Sequence, residues 1–376
     1  MRALLLVLDS VGCGGAPDAA AYGDEGADTL GHIYERLGGF SLPNLERLGL
    51  GRILNLKLAQ LPRASWGRMR ERSAGKDTTT GHWEIAGVAL KQPFTVFGKF
   101  PDELVHAIEC EAGVEFIGNF PRSGTVVLDE LGTEHIRTGK PILYTSADSV
   151  MQIAAHESIV PLPRLYEICK IARRHCDASR IGRVIARPFT GEPGTFQRTA
   201  GRHDYAMLPP RTVLNAIADC GRDVHGIGKI SDIFAGSGIT ASTPTASNAE
   251  GMMAIAKLWP ALDGLLFANL VDFDMLFGHR RNVAGYGDAL LEFDRWLPSF
   301  LQNVQAEDLV IITADHGNDP TWRGTDHTRE EVPLITLHGG KAAWLSTRES
   351  FADVAATLAE FFGPAAWPGA QSFLQR

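Results

Sequence analysis

Cysteine is scarce here, and nothing in its spacing suggests pairing. Five thiols, at positions 13, 110, 169, 176 and 220, include no C-x-x-C and are odd in number. That excludes a disulfide framework and a thiolate cluster as organising features, and it predicts reduced thiols in a cytoplasmic protein. Long apolar runs are missing too. No stretch reaches the ~18 residues of a membrane span, and the run at 3–8 is too short for the core of an export signal, so it reads as a first strand. Positive charge is in deficit, 36 Lys and Arg against 44 Asp and Glu for a net charge of −8, which speaks against a broad partnership with nucleic acid or an acidic membrane. Repeats, low-complexity tracts and charge blocks are absent.

Two phosphate-binding fingerprints fail in detail. Counting G-x-G-x-x-G from Gly12 puts Pro17 where the third glycine belongs. At Gly75-Lys76, a Walker loop requires Ser or Thr at 77 and Gly at 70, and the chain has Asp77 and Arg70.

What the chain does have is one arrangement repeated three times. Residues 3–8 (ALLLVL) run into Asp9-Ser10, residues 265–271 (LLFANLV) into Asp272-Phe273-Asp274, and residues 309–312 into Asp315-His316. Runs without polar alternation read as parallel strands covered on both faces, and in open α/β sheets the carboxyl ends of such strands are where ligands bind. If the three strands are parallel neighbours, Asp9, Asp274, Asp315 and His316 emerge on one rim, with His279 and His327 close behind in sequence. Six such groups suffice for two metal ions at three each. Carboxylate and imidazole donors without thiolate favour Mn, Zn or Fe and leave positions open for substrate. A lone Asp at a strand end is ordinarily a cap or turn former, and it is the recurrence that points to a site.

A second informative stretch, 73–84 (SAGKDTTTGHWE), sets three threonines between glycines, beside Lys, Asp and His. A hydroxyl there is either a nucleophile activated by a metal or part of an ST-turn or helix N-cap. Proline-bearing joints at 91–93 and 208–210 bracket a segment with helix-like stretches at 102–112 and 162–176 and strand-like ones at 141–145 and 183–186. The spacing predicts a main domain of residues 1–91 and 210–376 interrupted by a smaller α/β domain of 92–209. Arginines at 180, 183, 187, 198, 202 and 211, with few acids between them, suggest an anion site. Helices are expected at 27–37, 42–50, 212–218 and 288–304, strands at 224–230 and 332–337, and a last helix opening at Ser350 with Asp353 and closing at Gly363.

These motifs together carry a resemblance. LVLDSVGCGGAPDA, GADTLGHI, GKDTTTGHWEIAG, YTSADSVMQIAAHE, GRVIARPFTGEPG, GRHDYA, GKISDIF, NLVDFDMLFGHRRN and ITADHGNDPTWRGTDHTRE resemble, nearly end to end, the phosphopentomutases of the alkaline phosphatase superfamily. The resemblance implies an alkaline-phosphatase-like core, with a central mostly parallel sheet flanked by helices, and the insert as a cap closing over the site. It implies interconversion of the 1- and 5-phosphates of ribose or 2-deoxyribose with two Mn²⁺ ions, an activating sugar bisphosphate, a phosphothreonine enzyme and a pentose bisphosphate intermediate. Asp9, Asp315 and His316 match the ligands of one ion, and Asp274, His279 and His327 those of the other. Thr78 matches the phosphorylated residue, and Ser146, Asp148, Arg183, Arg198 and Lys229 match positions lining the sugar-phosphate site. A hydrolase or a phosphoglycerate mutase on the same scaffold is the alternative.

Overall fold

The computed structural model describes residues 1–57, 60–146 and 149–374. By its internal contacts the chain divides into two units, Met1–Pro93 with Pro209–Arg376, and Phe94–Leu208. The first unit opens with β1 (Arg2–Leu8) and β2 (Ser65–Met69). The second contributes β3 (Ile117–Pro121), β4 (Ile142–Thr145), β5 (Val150–His156), β6 (Arg183–Thr190), β7 (Gln197–Arg198) and β8 (His203–Ala206). The chain then completes the first unit with β9 (Asp223–Ile227), β10 (Ala241–Thr243), β11 (Gly264–Leu270), β12 (Leu309–Thr313), β13 (Val332–Leu337) and β14 (Trp344–Arg348).

The first unit's sheet runs β10-β9-β11-β1-β12-β13-β2-β14. From β10 to β12 the pairings are parallel. β13 lies antiparallel to both β12 and β2, and β14 is parallel to β2. The three apolar runs therefore sit side by side with β1 in the middle. Every residue of β11 and β12 is buried, as is all of β1 after Arg2, which is why they lack polar alternation. Register does the rest. Leu8 stands opposite Leu270 and Val7 opposite Thr313, so the residues that follow leave the sheet at one level.

Helices cover the sheet, and their ends follow local chemistry. Asp28 caps Thr29–Leu37 by accepting from Gly31 N, and Asn282 caps Val283–Leu301 by accepting from Gly285 N. That cap starts the second helix five residues before the sequence expectation of 288. The segment expected as one helix over 42–50 is instead Pro43–Leu45 followed by a wider turn, Glu46–Leu50, broken at Gly49 with φ of 137°. A Cβ on Gly49 would lie 2.4 Å from that of Trp66, so close packing on β2 decides the break. The last helix is Asp353–Phe362, shorter at its start than expected. Ser350 Oγ is used otherwise, donating to Glu84 and accepting from Ala352 N. Among the described residues no helix is long and apolar enough to cross a membrane, and all five cysteines are free.

In the second unit the order is β3-β4-β5-β6-β7, with β8 also on β6. Helices Asp102–Ala112 and Leu162–Cys176 form one apolar layer with Met151, Ile153 and Val184, and Val126–Thr138 forms the other with Ile142, Tyr144, Ala154 and Phe189. Neighbours Ile153 and Ala154 thus face opposite layers, as strand geometry requires. β3 and the Val126–Thr138 helix escape the sequence reading. β3 carries Gly118, Asn119 and Pro121, which mask a strand pattern.

Candidate active site

Asp9 leaves the end of β1 and Asp315 follows β12 by two residues, so the parallel register itself brings them together. The ligand atoms of Asp9, Asp315 and His316 lie within 4.8 Å of one another, all buried. Those of Asp274, His316 and His327 form a second group of the same compactness. His279 adjoins this group at its exposed edge, with Nε2 3.1 Å from Asp274 Oδ2 and 3.2 Å from His327 Nε2. The structure thus gathers all six expected ligands, and it places His316 between the two groups.

Backbone and amide donors set the orientation of these side chains. Ser10 N donates to Asp315 Oδ1 (3.1 Å), Asn269 Nδ2 to Asp9 Oδ2 (3.1 Å) and Asn318 Nδ2 to Asp274 Oδ1 (2.7 Å). The Nδ1 atoms of His279 and His316 donate to the carbonyls of Thr325 and Gly317, leaving each Nε2 for the site. Arg281 locks the surrounding loop through Gly278 O, Asp319 O, Gly324 O and Asn318 Oδ1.

Electrostatically the cluster is unsatisfied as it stands. Burial, then the nearby Asp315 and Asp274, push Asp9 far above the usual carboxylate range. Burial likewise opposes charge on Asp315, but the His316 beside it wins and holds it low. His316 is lowered by burial and raised more by Asp315, Asp9 and Asp274, to about 9. Asp274 is held well below its usual value, because hydrogen bonds from His279 and His327 outweigh its burial. Asp9 Oδ1 and Asp315 Oδ2 are buried with no hydrogen-bond partner. Each such oxygen costs roughly 1–3 kcal/mol or more, and a divalent cation would satisfy both. An all oxygen and nitrogen donor set fits such an ion.

Thr78 opens helix Thr78–Ile85, with Asp77 as its cap accepting from Thr80 N. Its hydroxyl is half-buried and lies 3.1 Å from His316 Nε2. Asp77 and Thr80 form the cap of this helix, and the Thr78 hydroxyl is left beside His316. A Cβ on Gly81 would come 2.1 Å from the Asp315 carbonyl, so this helix approaches β12's exit closely only because residue 81 is glycine. Arg329, buried, ties down the loop before it through Glu71, Ser73 O and Gly75 O, and Lys76 Nζ is 2.9 Å from Asp24.

The remaining expected residues are distributed over the two units. Lys229 is exposed beyond β9, and its charge pulls Asp9 downward. Ser146 follows β4, Arg183 begins β6 with Nη1 3.6 Å from Asp204, and Arg198 stands opposite Phe189 in β7. Asp148 lies outside the described residues. Nearby, Arg187 is held below its usual pKa, first by burial and then by Arg202 and Arg198, so like charges converge here. The sequence reading missed the roles of Asn269, Asn318 and Arg329. Asn269 sits inside an apolar strand and Arg329 inside the quoted GTDHTRE stretch, and both are polar residues too buried to be surface decoration.

A family profile described as the metalloenzyme superfamily matches residues 1–366. A phosphopentomutase of Carboxydothermus hydrogenoformans is 54% identical over 371 residues, 96% of each chain. The chain belongs to the phosphopentomutase family. A second family member, from Syntrophotalea carbinolica, is 52% identical over all of this chain and 98% of its own. Membership makes the protein a metalloenzyme of the mutase type, an isomerase that acts as an intramolecular phosphotransferase. A solved protein of Pyrococcus horikoshii shares the fold, with a TM-score of 0.50 and 15% identity over 98% of this chain and 99% of that one. The fold is alkaline-phosphatase-like.

Proposed function

We propose that this enzyme interconverts ribose 1-phosphate, or its 2-deoxy analogue, and the 5-phosphate by way of phospho-Thr78 and a pentose bisphosphate. The observation that carries the proposal is the Thr78 hydroxyl, half-buried 3.1 Å from His316 Nε2 and facing two groups of three metal-type ligands. Asp9, Asp315 and His316 would hold one divalent ion, and Asp274, His279 and His327 the other, both Mn²⁺. Bound there, the ions supply positive charge to the phosphoryl oxygens and the departing and attacking oxygens.

The chain's own residues do the positioning. In the first half-reaction the O–P bond at Thr78 breaks as one forms to the free hydroxyl of the sugar phosphate, whose proton ends on Thr78 Oγ. In the second, the other phosphoryl group moves from the bisphosphate to Thr78 and the proton returns to the liberated hydroxyl. An activating sugar bisphosphate charges Thr78 at the outset. Ser146, Arg183, Arg198 and Lys229 are the proposed contacts to the sugar phosphate, the guanidinium forks matching phosphate oxygens. Reduced thiols accord with a cytoplasmic setting.

Time-resolved ³¹P NMR of ribose 1-phosphate with the protein and Mg²⁺ plus trace Mn²⁺ tests the reading. Ribose 5-phosphate should appear without inorganic phosphate, and phosphate released as fast as substrate disappears would make the protein a hydrolase. The Thr78→Ala variant should still bind Mn²⁺ yet show no turnover and no phosphoprotein by intact mass. Turnover in that variant rules out Thr78 as the acceptor.

A further inference from the structure

His82 takes no part in the reaction as described, yet it is fully buried and touches three parts of the site. It lies one helical turn after Thr78, with its ring stacked on Phe267 at a centroid distance of 5.8 Å and 24° between planes. Nδ1 is 2.9 Å from the Thr78 carbonyl oxygen and 3.0 Å from Asp315 Oδ2. Nε2 is 3.0 Å from Asn269 Nδ2, and that same amide nitrogen is 3.1 Å from Asp9 Oδ2.

One amide nitrogen thus joins Asp9 to the His82 ring. With Asp9 ionised, as a metal ligand must be, its oxygens offer only lone pairs, so Asn269 turns its NH₂ toward it. The second N–H of that group then meets His82 Nε2. On the other side of the ring, Nδ1 faces two acceptors, the Thr78 carbonyl and Asp315 Oδ2. Asn269 Oδ1 is buried with no partner, so Asp9 and His82, not the amide oxygen, decide how this side chain is turned.

We propose that His82 and Asn269 are positioning residues, a hydrogen-bonded chain from Asp9 through the amide and the imidazole to the backbone of Thr78. It fixes the separation between a metal-ligand carboxylate and the nucleophile, and it rests on the roles assigned above to Asp9 and Thr78. The tolerance it protects is narrow, because a displacement of about 1 Å at a reacting group costs on the order of 100-fold in rate.

The test uses His82→Phe, which keeps a ring on Phe267 and removes both nitrogens, and Asn269→Ala, which removes both donors. For each, Mn²⁺ affinity is measured by calorimetric titration, kcat and KM with ribose 1-phosphate, and thermal stability without metal. Each variant should lose about 10- to 100-fold in Mn²⁺ affinity, the range for loss of an outer partner of a metal ligand. Turnover should fall through kcat with KM unchanged, and the double variant should be no worse than the poorer single one, because both act in one chain. Wild-type Mn²⁺ affinity in a folded single variant, or independent losses that multiply in the double, overturns the proposal. So does a loss of metal-free stability alone, which would mark a purely structural role. Should His82→Phe fail to fold, Asn269→Ala decides by the same titration. Mn²⁺ binding does not depend on the reaction, so a wild-type protein that binds Mn²⁺ but leaves ribose 1-phosphate unchanged refutes the mutase reading and not this one.

Discussion

Buried Arg329 donates to Glu71 Oε2 at 2.6 Å, to Asp18 at 2.9 Å and to three carbonyls of residues 71–75, the loop that leads into Thr78. Removing one partner of a buried pair leaves an uncompensated charge, which costs about 3–5 kcal/mol. Arg329→Met should lower stability by that order in urea titrations, and a loss under about 1 kcal/mol would show that the carbonyls and Glu71 find other partners. A second residue, His32, lies 2.5 Å from Asp319, in the loop that follows the metal-type ligands. Burial lowers its pKa, but Asp319 outweighs this and raises it. Stabilisation from a raised histidine is complete below its unfolded value of about 6.5 and disappears as pH climbs through the folded one. The stability difference between wild type and His32→Asn should therefore be larger at pH 6 than at pH 9, and a difference independent of pH would sink the pairing. At this scale the sequence disclosed acids and histidines where they ended an apolar run or followed close behind one. Arg329 and Asn269 were opaque, because their partners lie 258 and 260 residues away.

Helix Thr78–Ile85 shows what an element adds to its residues. Its threonines could cap or react. Asp77 takes the capping work, which leaves Thr78 Oγ free to face His316. Its approach to β12 depends on Gly81, and Gly81→Ala would press a methyl group to within 2.1 Å of the Asp315 carbonyl. Overpacking of this kind costs about 1–3 kcal/mol. The variant should be less stable and, because the helix must move, should lose Mn²⁺ affinity as well; unchanged affinity would mean that the helix tolerates the shift. The strands behind this helix were legible, since unbroken apolar runs have few other places to go. The helix at 126–138 and strand β3 were not, since a Gly and Asn inside a short edge element erase the period on which such readings depend.

Over the whole molecule, the parallel core sheet focuses buried acids from distant parts of the chain onto one edge. With Asp9 Oδ1 and Asp315 Oδ2 lacking partners, the metal-free protein stores repulsion that a cation relieves. A ligand that binds only the folded state stabilises it by RT ln(1 + [L]/Kd), about 2.7 kcal/mol at 100 times Kd. Thermal midpoints should rise with the logarithm of Mn²⁺ concentration and fall on chelation, reversibly. A midpoint indifferent to Mn²⁺ and chelator would mean that these groups are not a metal site. The same measurement on Thr78→Ala should still show the rise, because that substitution removes no expected ligand.

The amino-acid order alone determined which segments would be buried strands and that acids, twice with histidines nearby, would stand at their exits, because a run without polar residues must be covered on both faces and the first charged residue after it must leave. Only the tertiary structure decided that β11, β1 and β12 are neighbours in parallel with aligned ends, that His316 stands between the two ligand groups, and that His82 and Asn269 join Asp9 to Thr78. Those facts depend on strand order and register, which are set by packing among residues hundreds of positions apart, and local sequence carries no record of them.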